Sequence, residues 1–100
     1  MNAEKALNAV KAIREILETY VAGRAIAGRK EIDTELRILR ANAPLYCLEM
    51  IGKFSRELDD LFSPVQLRPG YRGTTTVLGE ALRYIDTIDS QVNRSLDELD

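Results

Sequence analysis

The chain has 100 residues, 45% apolar and 30% charged, with 14 basic against 16 acidic side chains and a net charge of −2. This is a globular composition, and the length suits a single helical domain, 1–100, with one modest core. It excludes a membrane span, since no run approaches ~20 apolar residues. With no histidine and one cysteine, it also excludes the ordinary zinc constellations and the Glu-x-x-His pattern of di-iron bundles.

Charge is unevenly spread. Residues 24–40 carry five basic and three acidic side chains, and residues 77–100 carry two basic against six acidic ones. Neither segment forms the dense Lys/Arg face that phosphate backbones require, so nucleic acid is disfavoured as a partner. The opening residues, Met1-Asn2-Ala3-Glu4-Lys5, lack a basic segment followed by an apolar run, so no secretory signal is expected. A lone cysteine in an apolar seam fits a reducing compartment, and the expected location is the cytoplasm.

The first predicted helix spans about 3–22. Asn2 is positioned as its N-cap, and Ala3, Ala6, Val10, Ile13, Leu17 and Tyr20 recur at helical spacing. Gly23 and Gly28 are the candidates for a left-handed residue past its end. A shorter helix over about 29–41 carries a narrow stripe, Ile32, Leu36 and Leu39, with Asp33 and Arg37 spaced to pair. Ile38 lies off that stripe beside Arg37, which makes these two residues a candidate contact for a partner or a second copy.

Asn42-Ala43-Pro44 then breaks the chain, with a kinked continuous helix as the alternative. A third helix over about 44–62 has the most regular seam: from Leu45, apolar residues fall at Cys47, Ile51, Phe54, Leu58 and Leu61. The stripe is wide enough for neighbours on both sides, so this helix is expected at the centre of the bundle. Residues 63–76 read as the long connector, with a type II turn at Arg68-Pro69-Gly70-Tyr71. Any of Thr74, Thr75 and Thr76 is suited to cap the last helix, about 76–98. That helix repeats the seam through Leu78, Ala81, Ile85, Ile88 and Val92. The fold expected is all-α, a small antiparallel four-helix bundle.

Two charges break the apolar pattern. Arg14 falls on the wheel among Leu7, Val10, Leu17 and Val21, and Asp89 among Ile85, Val92 and Leu96. In an up-and-down bundle the first and last helices are antiparallel neighbours, which places these two at similar depth. A partly buried Arg14–Asp89 ion pair is expected, or each charge reaches water from the edge of its stripe.

Catalytic chemistry is sparse. Histidine, the usual general base, is absent, Cys47 reads as a small core residue, and Asp59 and Asp60 point in different directions from one helix. The chain is therefore read as a non-enzyme without cofactor or metal: a helical protein–protein interaction module such as an adaptor, inhibitor or regulatory subunit. Its partner is another protein or a second copy in a homodimer. The alternative is an anion- or nucleic-acid-binding module built on the loop, with Arg68 and Arg72 for charge, Tyr71 for stacking, and Thr74 and Thr75 leading into a helix N-terminus.

Overall fold

The computed structural model describes residues 2–24, 27–62 and 73–98. Helix α1, Ala3–Val21, starts where the Asn2 side-chain oxygen accepts the Lys5 backbone N–H at 3.1 Å. The Asn2 N–H in turn donates to the Asn42 carbonyl at 3.1 Å, which ties the start of α1 to the end of α2. α1 closes in a Schellman motif: Gly23 donates to Tyr20 O at 3.1 Å and Arg24 to Thr19 O at 2.9 Å. Gly23 adopts φ +76 there, a value that costs an L side chain strain.

Gly28 has a different role from the left-handed end residue that its spacing suggests. It is the N-cap of α2, Arg29–Asn42, with φ −115, and its N–H donates to Glu31 Oε2 at 2.7 Å. This is the return half of a capping box, since a glycine has no side chain to supply the other half. The hydrogen bonds to Glu31 from the backbone N–H groups of Gly28 and Glu31 itself hold its carboxyl below the ordinary carboxylate range.

α2 and α3 are separate helices. Ala43 and Pro44 are extended, with ψ 153 and 149, and a 3-10 turn, Leu45–Cys47, precedes α3, Leu48–Phe62. The regular third helix therefore begins four residues later than its seam predicts. α4, Thr74–Glu98, begins two residues earlier than predicted. Gly73, at φ +93, turns the chain into α4 and its carbonyl accepts the Val77 N–H at 3.1 Å. The three threonines consequently lie inside the first turn instead of capping it.

The helices form an antiparallel four-helix bundle with extents of 48 × 25 × 18 Å. α1 packs closely on α2 and on α4, and α3 packs closely on α4. The α1–α4 pair is thus the spine, and the sequence-based placing of the third helix at the centre is corrected. The α2–α3 contact is looser and is bridged by polar side chains. Arg29 reaches from α2 to Asp59 at 2.9 Å, and Arg40 donates to Ser55 Oγ at 2.6 Å.

One core joins all four helices. It includes Val10, Ile13 and Leu17 of α1, Ile32, Leu36 and Leu39 of α2, Ile51, Phe54 and Leu58 of α3, and Ile85, Ile88 and Val92 of α4. Full burial of each large apolar side chain contributes roughly 1.5–3 kcal/mol. At one end of the bundle the Tyr20 and Phe62 rings meet edge to face at 5.5 Å, and the Tyr20 hydroxyl donates to Ala27 O at 2.7 Å. Among the described residues, no helix is long and apolar enough to cross a membrane.

Candidate functional site

The turn between α2 and α3 puts large apolar side chains into solvent. Leu45 is 83% exposed, Tyr46 48% and Leu48 42%. Pro44 blocks continuation of α2, and the Cys47 N–H closes a 3-10 turn onto Pro44 O at 2.9 Å. Residues three apart eclipse one another in 3-10 geometry, so Leu45 and Leu48 share one side of the turn. Cys47 takes the inward position and is fully buried, and burial pushes its thiol pKa up. The sequence seam, in steps of four and three, starts at Cys47, and its Cys47, Ile51, Phe54 and Leu58 are core. Leu45 lies about 200° from Cys47 on a helical wheel and faces away from that seam.

This corner is pinned to α4. The Tyr46 hydroxyl donates to the Gln91 carbonyl at 3.0 Å. The Gln91 side-chain oxygen is itself buried and meets no donor among the described residues. The exposed leucines therefore sit on a held turn, not on a loose end. Periodicity sets Leu45 opposite the seam but does not say that this side stays uncovered. The proline immediately before Leu45 was the available signal of a turn here.

The α2 candidates lie in two environments. Arg37 is exposed and takes part in no ion pair among the described residues. Asp33, its predicted partner, binds Arg29 at 2.9 Å instead. Ile38 is 39% exposed and lines a groove of about 420 Å³ between α1 and α2 with Lys5, Asn8, Ala9, Glu35 and Asn42.

Arg14 of α1 reaches two carboxylates on α4, Asp86 Oδ1 at 2.6 Å and Asp89 Oδ2 at 3.8 Å. Asp86, which the apolar pattern did not single out, is thus the nearer partner. Arg14 and Asp89 are each 28% exposed and Asp86 65%, so the cluster sits at the rim of the α1–α4 seam in contact with water. Such a cluster helps set the register of two helices and contributes little net stability.

Of the loop candidates, Arg68, Tyr71 and Arg72 lie outside the described residues. Thr74 and Thr75 are exposed on the first turn of α4. They line a groove of about 370 Å³ with Tyr20, Val21, Leu78, Gly79 and Leu82. The described lining contains no cationic side chain, so it offers an anion no counter-charge. Among the described residues, no group of three or more Cys, Asp and Glu side chains is placed to hold a metal ion. Comparison with family models, curated proteins and solved structures finds no match.

Proposed function

We propose that the chain is a non-enzymatic helical interaction module, active in a reducing compartment such as the cytoplasm, that docks a protein partner on the Leu45–Tyr46–Leu48 corner. The observation that carries this reading is the exposure of three large apolar side chains within four residues, on a turn anchored to α4. Single exposed apolar residues are ordinary, but a contiguous cluster costs solubility and marks an interaction surface in soluble proteins. Two leucines beside a tyrosine whose hydroxyl is already held by α4 form a compact apolar centre for an interface. An adaptor, an inhibitor and a regulatory subunit would all use such a face, and none needs chemistry of its own.

The test is affinity capture from the source lysate with wild type and Leu45→Asp/Leu48→Asp. Circular dichroism and melting first establish that the variant is folded. The proposal expects a stoichiometric protein ligand that the variant loses by more than tenfold. Recovery of the same ligand at the same yield by both chains refutes it.

A further inference from the structure

We infer that the groove between α1 and α2 is the docking site for a second copy of this chain, related by a twofold axis. This surface is distinct from the Leu45 corner and goes beyond the role proposed for it. Its floor is Ala9, 1% exposed, and its apolar wall is Ile38. Lys5 lines it from α1 and Glu35 from α2. Among the described residues, Lys5 and Glu35 form no ion pair with each other and none elsewhere. Arg14, Arg29, Lys53 and Arg83 have carboxylate partners, whereas Arg37, like Lys5, has none among the described residues. The groove thus holds one unpaired cation on one helix, one unpaired anion on the other, and an exposed isoleucine.

That pattern is complementary to itself. In a twofold contact, whenever residue i of one copy meets residue j of the other, j of the first meets i of the second. Lys5 of each copy would then face Glu35 of the other, making two ion pairs at once. Each Ile38 would be carried over the small Ala9 floor opposite. Asn8 and Asn42 supply a polar rim that both donates and accepts. A partner of uniform charge would satisfy one wall of the groove and repel the other, whereas a second copy brings a cation and an anion at the matching spacing.

The test measures molar mass by light scattering and sedimentation equilibrium from 1 µM to 1 mM, with folding checked by circular dichroism. Wild type is expected to rise with concentration from 11.3 kDa toward twice that value. Ile38→Asp is expected to remain monomeric. Lys5→Glu and Glu35→Lys, which set like charges against each other, each weaken association by about tenfold or more, and the combined swap restores it. Leu45→Asp leaves the dimer intact, which separates this inference from the corner's proposed role. A wild-type mass of 11.3 kDa throughout overturns the proposal. So does a dimer indifferent to positions 5, 35 and 38, or a double swap that fails to restore association. A monomer whose groove holds a different protein, lost in Ile38→Asp, assigns the groove to that partner and also overturns it.

Discussion

Truncating Leu45 and Leu58 to alanine, one at a time, tests the exposed corner against the buried seam of α3. Leu58 is fully buried, and removing its side chain takes away transfer free energy and leaves a cavity, together costing about 2–5 kcal/mol. Leu45 is 83% exposed, so about one-sixth of its surface is covered and truncation costs about 0.3–0.5 kcal/mol. The assay is urea unfolding followed by circular dichroism at 222 nm, at low micromolar protein. With m about 1.5 kcal/mol/M, Leu58→Ala should lower the midpoint by roughly 1.5–3 M and Leu45→Ala by roughly 0.3 M or less. An equal cost for the two would mean that Leu45 is covered within the folded chain, and the exposed corner would be wrong.

Glycine substitutions should move stability in opposite directions. Gly79 lies exposed within α4 with open space where a Cβ would stand, so Gly79→Ala is expected to stabilise by about 0.5–1 kcal/mol. Gly23, at φ +76, is expected to lose about 1–2 kcal/mol on the same change; thermal melting reads both. The lowered carboxyl pKa of Glu31 contributes stability above the ordinary carboxylate range, and this is lost as pH falls through the lowered value. Stability measured from pH 6 to pH 2 should therefore fall less steeply in Glu31→Gln than in wild type, the two curves converging in acid. The Cys47 thiol, buried with its pKa pushed up, should react with a disulfide reagent at pH 8 only as fast as the helix opens, and within seconds once urea unfolds the chain.

Much of the fold was legible because it rests on local chemistry. Asn2 caps α1, Gly23 ends it, and Pro44 separates α2 from α3, each for a reason visible in a few neighbouring residues. The apolar seams named most of the core. Errors arose where backbone geometry departs from the regular α-helix or where spacing between helices matters. The 3-10 turn at Leu45–Cys47 delays the start of α3, and Gly73 captures the start of α4 ahead of the threonines. The α2–α3 contact is the looser one, which no single helix's periodicity reveals, and the spine is α1 and α4. Arg14 was recognisable as a charge among apolar residues. Asp86 was not, since it sits on an exposed position where a carboxylate is unremarkable. Ile38 was visible as a residue off its stripe, but the groove it lines needed two helices and so does not follow from the periodicity of one segment.

The role of the corner is tested most directly by placing a photo-crosslinking phenylalanine analogue at position 48 and irradiating living cells of the source organism. The account predicts one discrete crosslinked protein partner from position 48, lost when Leu45→Asp is added, and no such product from an analogue at exposed Lys11 of α1. The same products from positions 48 and 11, or none from position 48, would contradict it.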